Sequence, residues 1–296
     1  MSCPATGSNT KITVIEETTL GVTPTINDGD TQVIPRSSAS VNLTKETLEN
    51  PTVRGDGLKE LPRHGNKQVG GDISVAYAHE SHDLLLANVF QNDWNANVLE
   101  LGRIEKSLTM QVEHQDIDKR FVHKGLRGNT FNLEVNTTGV VNSTFGFLGT
   151  DTITPGISID GDPTPAPNKQ PFTHIGGVFK DGGTEHCVMT GLTLSINNQM
   201  DANFALGKSS AICVSNNSAM VEGSITAWFT NLDMYNVFLN EEVTTLEFTL
   251  DDGNGNTHTY YMDEVKFNTG DVPVSDGGSL TITVAFVAHK VQITRS

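Results

Sequence analysis

A chain that carries the same β-rich pattern twice must build two similar units, and this chain carries such a pattern at residues 69–77 and 221–229. Val69, Gly71, Ile73 and Tyr77 meet Val221, Gly223, Ile225 and Phe229 at an offset of 152 positions (221 − 69). Upstream, Val41 and Leu43 meet Leu194 and Ile196 at an offset of 153 (194 − 41). Downstream, Phe121, Gly139 and Phe147 meet Tyr260, Gly278 and Phe286 at an offset of 139 (260 − 121). One deletion between Phe90 and Lys106 accounts for the change, since the first copy carries Gln91 to Val98 where the second passes almost directly from helix to strand. Repeats fix architecture before local features do, and a unit this long in two copies means tandem domains rather than a solenoid. Chance matching of alternating β sequences is the alternative; the persistence of order and spacing favours duplication.

The length of 296 residues suits one large or two ordinary domains, each able to bury a core. Glycine is plentiful and aromatic residues are few, which fits a turn-rich β protein. No apolar run approaches the ~18 residues needed to span a bilayer. The opening residues Met1 to Ser8 lack the charged and apolar regions of a secretory signal, so assembly in a cytosol, with no membrane partner, is expected. Cys3, Cys187 and Cys213 are odd in number and scattered, which excludes a disulfide framework and offers no metal knuckle. The net charge of −16, from 35 acidic and 19 basic residues, repels phosphate and argues against conventional DNA binding. A protein that must let DNA pass is compatible with it, as is simple solubility.

Residues 1–36 are polar and broken by Gly21 to Pro24 and Asn27 to Asp30, and read as an extended N-terminal arm. Alternation of period two marks half-buried strands near Ser40 and over Gly71 to Tyr77, Leu108 to Glu113, Phe131 to Val135 and Val141 to Leu148. Ser81 to Phe90 places leucines behind an acidic turn and predicts a short helix, with Asn231 to Leu239 as its counterpart. The proline-rich stretch 151–172 reads as a linker. The expected organisation is therefore an arm (1–36), a first module (37–150), a linker (151–172) and a second module with a C-terminal tail (173–296). Each module is mainly antiparallel β with one flanking helix.

The longest irregular piece of the first module runs from Leu43 to Gly70. The run Asn42 to Thr47, then Arg54, then Arg63-His-Gly-Asn-Lys-Gln-Val-Gly-Gly-Asp-Ile73, resembles the major tail tube proteins of long-tailed, siphovirus-like bacteriophages. The likeness covers Val41 to Leu148 well; the second module lacks the Arg-His-Gly motif and carries Val214 to Ser218 instead. The resemblance implies two tandem tail-tube-type β-sandwich modules whose strands enter the inner barrel of a ring. It also implies a long loop reaching the neighbouring ring through Arg54, Arg63, His64 and Lys67. Implied partners are further copies of the chain, as trimer rings that stack, together with tape measure, tail terminator and tail-tip proteins.

Motifs of catalysis are absent: there is no GxSxG, Walker loop or GxGxxG, so no enzymatic activity is expected. His79, His82 and Asp83 invite a metal reading but lack the HExxH spacing, and helix-cap polarity competes with it. Asp252 to Asn256, with Asp263 beyond, imitates a calcium loop, yet position six is Thr257 rather than glycine, which favours a tight hairpin. Glu185 to Cys187 has no second cluster beside it. No metal and no cofactor are expected.

What remains is the polar face of the strands. In the first module Asp72, Ser74, Thr109, Gln111, Glu113, Asn142 and Thr144 alternate with core positions. In the second, Glu222, Ser224, Thr226, Glu247, Thr249, Thr281 and Thr283 do the same. Such a face is either a solvated sheet surface or, under the tail-tube resemblance, the lining of a lumen through which double-stranded DNA passes without specific binding. About 24 strands spaced ~4.8 Å apart and tilted by about 40° close a barrel roughly 48 Å across, leaving a bore of about 35–40 Å for a duplex ~20 Å wide. With two modules per chain, three chains suffice. The competing readings are a tandem Ig-like binding module, such as an adhesin or tail-tip protein, and, within the structural class, a tail terminator or the inner tube of a contractile injection device. A binding module should expose aromatic-rich loops, and this chain has few aromatics.

Overall fold

The computed structural model describes residues 4–52, 55–185, 188–273 and 277–296. Its main strands fall into two sets of six. The first is β1 Thr10–Glu17, β2 Asn42–Leu48, β3 Arg63–Ala76, β4 Ser107–His114, β5 Lys119–Asn136 and β6 Asn142–Gly149, with helix α1 Asp83–Phe90 between β3 and β4. The second is β7 Thr173–Asp181, β8 Met189–Asn197, β9 Met220–Trp228, β10 Thr244–Asp251, β11 Thr257–Phe267 and β12 Thr281–Ala288, with helix α2 Asp233–Leu239 between β9 and β10.

All pairings in both sets are antiparallel and follow one order. The first set runs β1–β4–β5–β6–β3–β2 and the second β7–β10–β11–β12–β9–β8. Around β6 and β12 the registers agree to the residue: Gly71 and Gly128 oppose Phe147, as Gly223 and Phe267 oppose Phe286. The offsets read from sequence are thus those of the hydrogen-bonded ladders.

β5 and β11 are long because each serves two sheets. The first part of β5 pairs with β4 and with the short strand Asp151–Ile153, and its last part pairs with β6. Gly125 turns this corner at φ +63°, where an added Cβ would fall 2.5 Å from the Thr150 hydroxyl. Its counterpart in β11 is Glu264, held at φ +50° in the region that favours glycine. Strands that bend through such irregularities pass from one layer of a sandwich to the other.

The two sets are not separate bodies. β8 pairs along the free side of β5 from Gly191 opposite Asn136 to Asn197 opposite Thr130. One inner sheet of eight strands therefore runs β2–β3–β6–β5–β8–β9–β12–β11 through both halves. The other layer is built by β1–β4–β5 and by β7–β10–β11. The second of these is extended by the C-terminal strand Lys290–Arg295 and then by Val98–Glu100. That last strand lies in the segment peculiar to the first half, which folds as a tie between halves rather than as a loop. Between the layers, Val69, Ile73 and Phe145 repeat as Val221, Ile225 and Val284 in one continuous core. Burying each large apolar side chain of this kind contributes about 1.5–3 kcal/mol. α1 sets Leu85, Leu86, Val89 and Phe90 into that core, whereas α2 buries Met234 and leaves Leu239 exposed.

Two sequence expectations are corrected. Residues 1–36 are not wholly an arm, since Thr10–Glu17 pairs with β4 along its whole length and Ile12 and Val14 are fully buried. Its buried carboxylate, Glu17, accepts hydrogen bonds from the main chain of Gly21 and Gly125 and the hydroxyls of Ser107 and Thr109, which is how an acidic residue is tolerated there. The segment 151–172 is not a free linker. Asp160 accepts from the Thr31 N–H and hydroxyl at 3.0 and 2.8 Å, and Gln111 holds Ser158 at 2.8 Å and the Ile159 N–H at 2.9 Å.

Aromatic and imidazole rings pack where the halves meet. The Tyr260 O–H donates to Tyr77, whose hydroxyl lies 2.7 Å from Nδ1 of His258. The His258 ring sits 4.9 Å from that of Phe172 and 5.1 Å from that of His79. His82 reaches the Pro35 carbonyl at 3.2 Å rather than capping α1, while Asp83 pairs with Arg295, which stacks over Trp94. His82 does stand at the N-cap of α1 and Asp83 in its first turn, but the His82 side chain makes no capping hydrogen bond, and Asp83 with His79 also joins the two halves. Burial lowers the pKa of His79 and His82, takes His123 down to about 4 and takes His258 down to about 3, with the neighbouring positive groups adding to the last.

In the unfolded chain these histidines take up protons near pH 6.5, before the folded chain does, so stability rises with pH across this interval and is lost on acidification. His258 alone should cost on the order of 2–3 kcal/mol by pH 4.5. The raised pKa of Asp83 works the other way and offsets part of this loss. Denaturant unfolding at pH 7.0, 5.5 and 4.5 checks the slope, which should flatten in His258→Phe. Equal stability at all three values would refute the buried neutral cluster.

Candidate assembly surfaces

The inner sheet has one face in the core and one face that is polar. On the polar side β3 turns Asp72 and Ser74 outward, β6 Asn142 and Thr144, β9 Glu222, Ser224 and Thr226, and β12 Thr281 and Thr283. Hydroxyls on adjacent strands meet at 3.1 Å (Ser74 and Thr144), 2.9 Å (Thr193 and Ser224) and 3.3 Å (Thr226 and Thr283), so the surface is a hydrogen-bonded sheet of short side chains. β5 and β8 contribute Asn132, Glu134, Thr193 and Ser195, and Lys266 and Asp271 stand on the same side at the far edge. Asp72, Glu134, Glu222 and Asp271 give this face a negative balance against Lys266. The alternation of Asn132 and Glu134 with Phe131 and Leu133 was readable in sequence; Asp271 follows a glycine and carried no such signal.

Five expected residues of that face lie elsewhere. Thr109, Gln111 and Glu113 are on β4 of the other layer and are buried: Thr109 bonds Glu17, Gln111 bonds Ser158, and Glu113 accepts from Arg120 at 2.8 Å. Glu247 and Thr249 are on β10, where Glu247 pairs with Lys180 at 2.6 Å and Thr249 bonds Thr259 at 3.0 Å. Both layers alternate with period two, so alternation alone could not separate them.

A second surface is the hairpin of β2 and β3. Arg63, His64 and Lys67 lie on β3 itself, opposite Leu48, Thr47 and Lys45, rather than in an irregular loop. Lys67 also donates its main-chain N–H to the Ser209 carbonyl at 2.7 Å, joining this hairpin to the 198–219 connection of the second half. Arg54 lies outside the described residues. The tip presents Leu58 and Leu61 at 72% and 90% exposure. In the corresponding connection between β8 and β9, the short pair Asp201–Asn203 and Cys213–Ser215 carries a fully exposed Leu206.

The sheet's two edges form a third surface. Ser40 donates to the Asp72 carbonyl, so Ala39, Val41 and Leu43 turn their main-chain groups away from β3. Past β11, Asp271 and Thr283 exchange hydrogen bonds of 3.0 and 2.9 Å, so Gly270 and Val272 turn theirs outward as well. Among the described residues, no group of three or more His, Cys, Asp or Glu could hold a metal ion. The Asp252 to Asn256 stretch is a hairpin turn closed on its own main chain, with Asp252 accepting from Asn254 at 2.7 Å and Asn256 at 3.2 Å. Glu185 ends a two-residue strand, and His186 and Cys187 lie outside the described residues. No described helix is long and apolar enough to cross a membrane.

A family model described as phage tail tube protein matches residues 7–288. No curated protein matches the chain. The match takes in both sets of strands, the hairpin and both sheet edges, and with it the chain belongs to the phage tail tube protein family, as a structural, non-enzymatic component of the virion tail.

Proposed function

We propose that this protein is a tandem duplication of the tube domain and that three copies close a pseudo-hexameric ring. In that ring the eight-stranded inner sheets join into one barrel of 24 strands. Rings stack into the tail tube of a siphovirus-like phage, assembled in the host cytoplasm, and DNA is ejected through the bore. The observation that carries this reading is the inner sheet. It contains one junction between equivalent halves, β5 against β8, and ends on two edges that have no strand partner among the described residues. Repeating that junction three times around an axis leaves no edge open, as closed heterologous assembly requires. The barrel so formed would be about 48 Å across between backbones, wide enough for a duplex of ~20 Å.

The polar face of short hydroxyl and carboxylate side chains would then line the bore and keep phosphates from lodging. The hairpin of β2 and β3, with Leu58, Leu61, Arg63, His64 and Lys67, would bridge to the adjacent ring, and Arg54 is included in the same proposal. Tape measure, terminator and tip proteins would complete the tail. Negative-stain images of tails assembled from this protein, and of the protein purified alone at high concentration, test the reading. Tubes or annuli with a stain-filled bore several nanometres wide are expected. Solid filaments, or tails in which this protein decorates the outside, would overturn it.

A further inference from the structure

Resting on the ring reading above, we propose that one copy docks on the next by a strand pairing whose register is already written inside the chain. Residues 269–273 lie antiparallel on residues 40–44 of a second copy, with Asp271 opposite Asn42 and Val272 opposite Val41.

The template is the internal junction, where Asn132 opposes Ser195 and Leu133 opposes Leu194. β11 follows β5 at an offset of 139, and the correspondence continues beyond the end of β11. Asn132 opposes Thr144, and Asp271 opposes Thr283. On the other edge Leu43 opposes Val69 as Ile196 opposes Val221, so Val41 and Asn42 stand where Leu194 and Ser195 stand. Carrying the junction over by these two equivalences yields the stated register with no free choice.

The edges fit what the register demands. The main chains of Val41, Gly270 and Val272 make no hydrogen bond, and each points away from its own sheet. Unpaired edges of this kind are templates for another strand. Pro273 lacks an N–H on the side facing β12, which ends pairing there after Asp271 without removing any outward donor. Val41 is 9% exposed and Val272 half-buried, where Leu194 and Leu133 in the internal junction are each 1% exposed. Joining the edges would complete that burial. The seam between copies lacks one tie: α2 is followed almost at once by β10, so nothing in the second half corresponds to Val98–Glu100, which pairs with Lys290–Arg295 inside the chain.

The test is a disulfide. Asn42 and Asp271 would form a non-hydrogen-bonded pair with Cα atoms about 4.5 Å apart, within the span a disulfide accepts. In full-length protein with Cys3, Cys187 and Cys213 replaced by serine, Asn42→Cys with Asp271→Cys should give covalent dimers and closed trimers on oxidation of assembled rings. Linking should run about tenfold or more faster than for the offset pair Asn42→Cys with Thr269→Cys, whose Cα atoms would be ~7–8 Å apart. Asn132→Cys with Ser195→Cys, equivalent but internal, should close without any rise in mass. Should the first pair impair folding, Ser40→Cys with Pro273→Cys tests the same register. Rings that form but link faster at the offset pair, or do not link at either in-register pair, would overturn the register while leaving the ring reading intact. Failure of the parent protein to form rings would overturn both.

Discussion

Removing residues 51–61 and closing β2 to β3 with a short turn should leave a folded subunit that forms rings but no tubes. None of its described residues is buried in the core. Bonds within this hairpin include Lys59 with Glu49 at 2.8 Å, Asp56 with Leu58 at 3.0 Å and Asn50 with Glu60 at 3.0 Å. The pair of Lys59 and Glu49 is more than two-thirds exposed on both sides and contributes little on its own. Leu58 and Leu61 are nevertheless held out at 72% and 90% exposure on the tip. In the proposed stack such positions would be buried against a neighbouring ring, where each leucine would contribute about 1.5–3 kcal/mol, repeated around the axis. The expected result is an unchanged unfolding midpoint with tube length reduced to single rings in sedimentation and in images. Tubes of normal length would refute a stacking role for the hairpin.

Reversing charge on the polar face should slow DNA release without blocking assembly. Asp72, Glu134 and Glu222 are exposed on strands of the inner sheet, so in the proposed bore Asp72→Lys, Glu134→Lys and Glu222→Lys together would replace repulsion with rings of phosphate contacts. None is packed in the core. Each phosphate engaged adds about 0.9 to the slope of log affinity against log salt, so retention should be strongest at low salt and weaken steeply as salt rises. Particles carrying the three substitutions should assemble in normal yield and eject at least about tenfold more slowly at low ionic strength. Glu247→Lys, on the other layer, should leave ejection unchanged. Ejection at the normal rate by the triple variant, with reagents labelling those positions from outside the intact tube, would place the face on the exterior.

Most of the inner sheet was legible in the sequence, because the apolar positions of a half-buried strand recur every second residue and the two halves keep their spacing. The offset of 139 positions survives as a ladder register from Gly128 and Phe267 to Phe147 and Phe286. The helices were visible for a similar reason: Leu84 to Leu86 and Phe238 to Leu239 follow an acidic first turn. What escaped depends on contacts between distant segments. Ile12 and Val14 make a strand only because β4 is there to pair with, and Glu17 is acceptable in the interior only because four donors converge on it. Thr109, Gln111 and Glu113 alternate as any solvated strand would, and it is the 151–172 segment folding back over β4 that helps to bury them. His79, His82 and His258 come together across the chain, and no local pattern announces that. The free edge at Gly270 and Val272 follows from Pro273 and the register of Asp271, neither of which has meaning before the sheet is known.

The central claim is that one chain supplies two equivalent sectors of a closed barrel. The mass and symmetry of isolated rings test it most directly. Native mass spectrometry of rings released from tubes should give three copies of the 31.9 kDa chain. Averaged end-on images of the same rings should show six similar lobes that alternate in detail, because Val98–Glu100 ties the halves within each chain and the described second half carries no equivalent strand after α2. Rings of six copies, or of three copies with only three lobes, would contradict the account.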